Sequence, residues 1–256
     1  MPYSDIIERM IYFLSDAHIG SRVIADAPSH QQRLIDLLEM MSKDATHIFF
    51  LGDMFDFWYE YVWSNRAKRK AYGPVLDAFK RLTEKGIEVH YFTGNHDIWT
   101  FGWLAKQTGM TIHREPYCAQ LNARTLFLAH GDEFSTYKPF LRLRKVFHNP
   151  VLQCLFSLLP PCLGDAFGYR WAKRSRQKEL DHPAPYKGEE NEDLVRFAKT
   201  HEPSQPIDYF VFGHRHIELD LMLSKSRRMI ILGDFFKQWT YAQLSDKGEM
   251  SLMNYE

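Results

Sequence analysis

Five apolar runs in this chain each lead into residues that bind metal ions, and no other feature limits its possible folds so strongly. Ile11–Ser15 leads into Asp16-Ala17-His18, and Ile48–Gly52 leads into Asp53. Val89–Gly94 leads into Asn95-His96-Asp97, Leu126–Ala129 into His130-Gly131-Asp132, and Tyr209–Gly213 into His214-Arg215-His216. Short runs rich in aromatic and β-branched residues, with Gly near their ends, read as buried strands. If the five strands share one sheet, their carboxyl ends bring Asp, His and Asn side chains to a single edge. Such a set suits two divalent ions rather than one.

Helices are expected between the strands. In Gln31–Lys43 the residues Leu34, Ile35, Leu38 and Met41 fall at helical spacing after a Pro28-Ser29 start signal. Val75, Leu76, Phe79 and Leu82 make a second stripe in Gly73–Lys85, with Gly86 just past its end. Strand alternating with helix is the rhythm of a layered α/β domain, here one domain spanning residues 1–256. From 137 to 197 the strand pattern gives way to helices broken by Asn149-Pro150, Pro160-Pro161 and Gly164. This insertion follows a ligand-bearing strand, so it should emerge at the metal edge as a lid. After His216 four further strands are expected, antiparallel and joined by short polar turns, at Leu219–Leu223, Met229–Leu232, Thr240–Leu244 and Met250–Met253.

Charge is balanced over the 256 residues, with 32 basic and 32 acidic side chains, so the overall field selects no partner. The balance is local. Between Lys138 and Lys178 nine Lys or Arg residues stand against one acid, Asp165. Cys118, Cys154 and Cys162 have no paired spacing, which fits a reducing compartment. The N-terminus, with Asp5 and Glu8, lacks the basic and apolar blocks of a signal peptide. Val151–Leu163 is the longest apolar stretch, and it is too short and too interrupted to span a bilayer, which takes about 20 apolar residues. The expectation is a cytoplasmic protein able to touch a membrane surface.

The candidate ligands include no Cys, which sets aside a thiolate zinc site and leaves Mn²⁺, Fe²⁺, Mg²⁺ and Zn²⁺. One carboxylate must bridge two such ions, held roughly 3.5–4 Å apart. Together they acidify water and neutralise charge on an attacked phosphoryl group.

Asp16-x-His18, Gly52-Asp53, Gly94-Asn95-His96-Asp97, His130 and Gly213-His214-x-His216, in that order, resemble the signature of the calcineurin-like metallophosphoesterases. Within that superfamily the chain is most similar to the UDP-2,3-diacylglucosamine hydrolases of lipid A synthesis. The similarity rests on Leu51–Trp58, on His130-Gly131-Asp132 running into helices, and on the Arg-Lys-Val-Phe-His-Asn-Pro stretch ending at Pro150. It implies a four-layer α/β/β/α sandwich with a helical lid. It also implies one ion on Asp16, His18 and His216 and another on Asn95, His130 and His214, with Asp53 bridging. Mn²⁺ heads the candidates, with Fe²⁺, Zn²⁺ or Mg²⁺ as alternatives. The implied reaction is hydrolysis of the pyrophosphate of UDP-2,3-diacylglucosamine to UMP and 2,3-diacylglucosamine 1-phosphate, at the cytoplasmic face of the inner membrane.

His96 departs from the pattern, because better-known members of that hydrolase family carry Arg there. An imidazole suits an alkoxide leaving group that needs a proton, so a phosphodiesterase or phosphatase acting on another phosphoester is the alternative activity. Asn95, His96 and Asp97 are the expected catalytic residues, with Asp97 fixing the His96 ring. Asp132 and Asp234 read as supporting residues. In the insertion, Arg174 and Arg176 are expected to meet the pyrophosphate, and Leu155 and Phe156 the acyl chains. Adjacent apolar and basic surface also suits an anionic bilayer. A groove tracking nucleic acid would be polar and basic throughout, so no nucleic-acid partner is expected.

Overall fold

In a computed structural model, residues 8–182, 185–201 and 206–256 are described, and the stretch containing Asp5 lies outside them. The chain opens with β1 (Met10–Leu14), α1 (Ala27–Met41), β2 (Ala45–Leu51), α2 (Arg66–Glu84) and β3 (Glu88–Phe92). Next come α3 (Trp103–Thr108), β4 (Thr111–His113), β5 (Tyr117–Leu121) and β6 (Arg124–Ala129). Four helices follow: α4 (Lys138–Phe147), α5 (Pro150–Ser157), α6 (Pro161–Asp181) and α7 (Asp193–Thr200). The chain closes with β7 (Tyr209–Phe212), β8 (Glu218–Met222), β9 (Arg228–Leu232), β10 (Thr240–Leu244) and β11 (Met250–Asn254).

The strands form two sheets, not one. Their orders are β11-β10-β1-β2-β3-β4 and β5-β6-β7-β9-β8, so three ligand-bearing strands lie in the first sheet and two in the second. Within each sheet these ligand-bearing strands run parallel to one another, which sends their carboxyl ends to one rim. Alternate residues face different cores. Tyr12, Leu14, Phe50 and Tyr91 pack with Leu34, Leu38, Val75 and Phe79 of α1 and α2. Phe13, Phe49 and Leu51 meet Leu128, Val211 and Leu232 between the sheets. Phe127, Phe210 and Phe212 lie with Leu194 and Ala198 of α7. Helix, sheet, sheet, helix is therefore the layering. Burial on both faces explains why the strands read as unbroken apolar runs.

Local differences have physical causes. Helix α1 starts at Ala27 because the Asp26 carboxylate accepts a hydrogen bond from Ser29 N at 3.0 Å, with Pro28 in the first turn. Helix α2 begins seven residues before Gly73, since Lys68 and Tyr72 extend its buried face. A lysine is absent from an apolar count, but Lys68 is 2% exposed and paired with Asp165 at 3.1 Å. The last four strands form, yet they divide between the sheets, and β9 runs parallel to β7.

The expected insertion, 137–197, runs into α7, which instead makes the fourth layer. Helix α6 is fastened along its length. A Cβ on Gly168 would lie 2.1 Å from the Phe57 ring, so glycine is what lets the helix lie against that ring. Asp165 also accepts from Tyr61 Oη at 3.0 Å, and the Tyr72 and Tyr169 hydroxyls are hydrogen-bonded.

Candidate active site

The rim where the two sheets meet gathers the ligand-type residues at turns of unusual backbone. Asp16, His18, Asp53, His214 and His216 have φ of 53°, 45°, 52°, 66° and 49°. Among the described residues the only other non-glycine positions with positive φ are Asn122, Ala123 and Trp239. Each such conformation costs about 1–3 kcal/mol, and such costs concentrate where function requires a particular geometry. Glycine makes room for it: a Cβ on Gly94 would lie 2.2 Å from Asp53 Oδ1.

Asp16 and His18 are fully buried, and Asp53 and His130 nearly so. Asp16 Oδ1 lies 3.0 Å from His216 Nε2, and that nitrogen is 3.3 Å from His18 Nε2. Asp16 Oδ2 accepts from His214 N at 2.9 Å, tying the fifth run to the first. Asp53 Oδ2 stands 3.9 Å from His18 Nε2 and 3.5 Å from His130 Nε2, between the two groups. Asn95 Oδ1 is 3.3 Å from His130 Nε2, and the His214 ring lies 5.1 Å from that of His130. Donor atoms of Asp16, His18 and His216 lie within 4.8 Å of one another, as do those of Asp16, Asp53 and His130, and of His18, Asp53 and His96.

This donor set fits divalent ions. Burial raises the carboxyl of Asp53, but the His130 and His96 imidazoles outweigh it and hold the group well below the usual carboxylate range. Burial would lower His216, yet Asp16 outweighs it and lifts that imidazole to about 9. Asp56, which the sequence reading missed, is fully buried and neither carboxylate oxygen has a hydrogen bond, though Arg176 Nε lies 3.8 Å from Oδ1. A buried carboxylate is costly unless it is paired or next to a cation. Its nearest base is His18 Nδ1, at 3.4 Å.

The calcineurin-like phosphoesterase family model matches residues 10–218, a stretch that holds every one of these rim residues. The chain belongs to that family. A protein of Porphyromonas gingivalis named UDP-2,3-diacylglucosamine hydrolase is 36% identical over 245 residues, covering 91% of this chain and 92% of its own. Proteins of the same name from Aeromonas hydrophila and Vibrio cholerae are 25% and 26% identical, covering 88% of this chain and 90% of theirs. The calcineurin-like fold here thus carries a metal-dependent phosphoester hydrolase.

Other expected residues are placed unevenly. His96 is 8% exposed, and its Nδ1 is 2.7 Å from Asp56 O. Asp97 does not hold that ring. Its carboxylate accepts from Gly94 N at 2.7 Å and from Tyr91 Oη at 2.5 Å, so it shapes the turn carrying Asn95 and His96. Asp132 pairs with Arg144 at 2.7 Å, and Asp234 caps the turn at Phe236–Gln238. Arg176 enters the rim from α6: it is 2% exposed, with Nη2 2.8 Å from His18 Nε2 and 3.5 Å from His96 Nε2. Arg174 is exposed and stays out of the rim. Two positions apart on a helix is about 200° of rotation, so the two arginines cannot share a face. Glu179 was also missed. It contacts His216 Nδ1 at 2.8 Å and Arg176 at 2.5 Å, and its i,i+3 spacing from Arg176 was the available signal.

Beside Asn95 and His96 opens a cavity of about 530 Å³. Most of its other walls are apolar side chains of the insertion and of the loops after β2 and β3, among them Tyr59, Trp99, Leu152, Leu155, Phe156 and Trp171, with Asp132 and Arg144 among the polar exceptions. Leu155 is 57% exposed, while Phe156 packs on Tyr59 with ring centroids 4.7 Å apart.

Proposed function

We propose that this phosphoesterase hydrolyses the pyrophosphate of UDP-2,3-diacylglucosamine to UMP and 2,3-diacylglucosamine 1-phosphate. The observation that carries the reading is the apolar cavity running from helices α4–α6 to Asn95 and His96. A soluble phosphoester needs no such volume, whereas acyl chains gain about 25 cal/mol for each Å² of apolar surface they bury. The names of the relatives point the same way.

In this reading Asp16, His18 and His216 would hold one divalent ion, Asn95, His130 and His214 would hold a second, and Asp53, standing between the two groups, would serve both. The ions, Mn²⁺ first among candidates, would acidify water and offset phosphoryl charge. The chain's own contribution is orientation. Asp53 Oδ1 accepts from His96 N at 2.8 Å, which locks the turn bearing Asn95 to the central carboxylate. Arg176 brings a guanidinium to within 3.5 Å of His96 Nε2, so Arg176 would supply here the positive charge that Arg at the His96 position supplies in better-known relatives. This favours pyrophosphate over an alkyl phosphodiester, because a phosphate leaving group needs little protonation.

Helices α4–α6 act here as a lid, and their outer surface suits peripheral contact with an anionic cytoplasmic leaflet. Val151, Leu158, Leu163 and Phe167 are each more than half exposed, next to Arg170, Lys173 and Arg174. No helix among the described residues is long and apolar enough to cross a membrane. The test is a comparison of metal-loaded protein on UDP-2,3-diacylglucosamine and on a simple aryl phosphodiester. The reading expects kcat/KM to favour the lipid by orders of magnitude, and equal values would refute it.

A further inference from the structure

Four imidazoles face the rim through Nε2, and three of them have an acceptor within hydrogen-bond distance of Nδ1. For His130 it is Leu51 O at 2.7 Å, and for His96 it is Asp56 O at 2.7 Å. For His18 the nearest is Asp56 Oδ1 at 3.4 Å. All three belong to the end of β2 and the loop after it, so they are part of the scaffold. His216 differs. Its Nδ1 meets Glu179 Oε1 at 2.8 Å, on helix α6 of the insertion, while its Nε2 faces Asp16 and His18. An acceptor at Nδ1 fixes the proton there, leaves the Nε2 lone pair free, and raises its basicity as a ligand.

We propose that Glu179 is a positioning residue for His216, so that affinity for an ion at Asp16, His18 and His216 depends on how α6 is docked. The inference rests on the ligand assignment above and adds a dependence on the insertion. Glu179 is held in place by Arg176, whose Nη1 lies 2.5 Å from Oε2. The docking itself is set elsewhere, where Gly168 lies against Phe57 and Asp165 pairs with Lys68. Gly168 stands about 16 Å along the helix from Glu179, at 1.5 Å per residue. Linkage is reciprocal, so whatever seats α6 tightens the ion, and the ion steadies α6.

The experiment is a Mn²⁺ titration of metal-stripped protein by calorimetry, with melting temperature recorded in parallel. Glu179→Ala should weaken one of two sites about 10- to 100-fold and leave the other unchanged. Gly168→Ala, about three turns along the helix from Glu179, should weaken the same site in the same direction. Asp181→Ala, exposed on the same helix, serves as the control and should bind as wild type. Wild-type affinities in Glu179→Ala would overturn the positioning role, as would equal loss at both sites with a collapsed melting temperature. Unchanged affinity in Gly168→Ala would overturn the dependence on docking. Failure of the two-ion assignment is separable, because the wild-type protein would then not titrate with two ions.

Discussion

The rim and the insertion solve opposite problems with the same chain. At the rim, strand ends from two sheets deliver charged side chains whose positions follow from the backbone, and the positive φ values there are held by the layers beneath. In the insertion, helices α4 and α5 bury almost nothing: α4 has no buried residue, and α5 has only Ser157. Helix α4 is tied by Arg144 to Asp132 and α5 by Phe156 and Gln153 to Tyr59, whereas α6 is anchored through buried groups at Gly168, Lys68–Asp165 and Arg176. A rigid rim suits chemistry, which tolerates little displacement of reacting groups, whereas adaptable apolar walls suit flexible chains. The difference teaches where each kind of substitution should act.

The largest effect should come from Asp53→Asn. It removes the carboxylate standing between the two ligand groups, and kcat should fall by about 10³ or more, as losses of charge-stabilising groups do. The fold should persist, since the strands keep both apolar faces, and circular dichroism can verify this. Near-wild-type turnover with two ions retained would break the bridging role.

His96→Ala should lower kcat by about 10²–10⁴ with metal content intact. His96→Arg should restore pyrophosphate cleavage more than phosphodiester cleavage, because Arg supplies charge but no transferable proton. Equal rescue would favour charge stabilisation alone. Asp165→Asn tests the anchor rather than the chemistry. It leaves buried Lys68 without its carboxylate, and breaking such a pair costs about 3–5 kcal/mol. Urea unfolding should show most of that loss. A loss below about 1 kcal/mol would mean that α6 is held by packing alone.

How much of this contrast could be read in the sequence follows from the same physics. Strand-end ligands are written in order, because a run such as Ile48–Gly52 and the Asp53 after it are neighbours both in sequence and in space. Splitting the strands between two sheets was not legible from the runs, since residues buried on both faces look alike in either sheet. Asp56 lay within the recognised Leu51–Trp58 stretch, yet its role depends on the approach of His18. Arg176 and Glu179 reach the rim across about 160 residues from His18, through docking fixed by Gly168 and Phe57. No local pattern encodes that contact. Arg174 and Arg176 looked equivalent as members of a basic run, and only the helical rotation separates them.

Leu155 and Phe156 should divide along the comparison as well. Polar replacement of Leu155 exposes little core, so KM for a long-acyl UDP-sugar should rise about tenfold while an aryl phosphodiester is unaffected. Phe156 also packs on Tyr59, so its replacement should add a modest loss of melting temperature. If Leu155 impaired both substrates equally, the cavity wall would be structural.

The smallest effect should be that of Arg174→Glu, and it is the sharpest test of how α6 is used. Its charge lies in solvent, where a pair interaction contributes about 0–1 kcal/mol and is screened within about 8 Å at physiological salt. The kcat/KM for a soluble phosphodiester should therefore change less than about fivefold, and the change should vanish as ionic strength rises. On anionic vesicles the same substitution should weaken association, because a basic side chain near that surface contributes about 1 kcal/mol. Arg176→Glu should behave differently, losing most activity on every substrate with little dependence on salt, since its guanidinium is buried against His18. Should Arg174→Glu match that loss, the helix would present both arginines to the substrate, and the division between a wet face and a chemical face of α6 would fail.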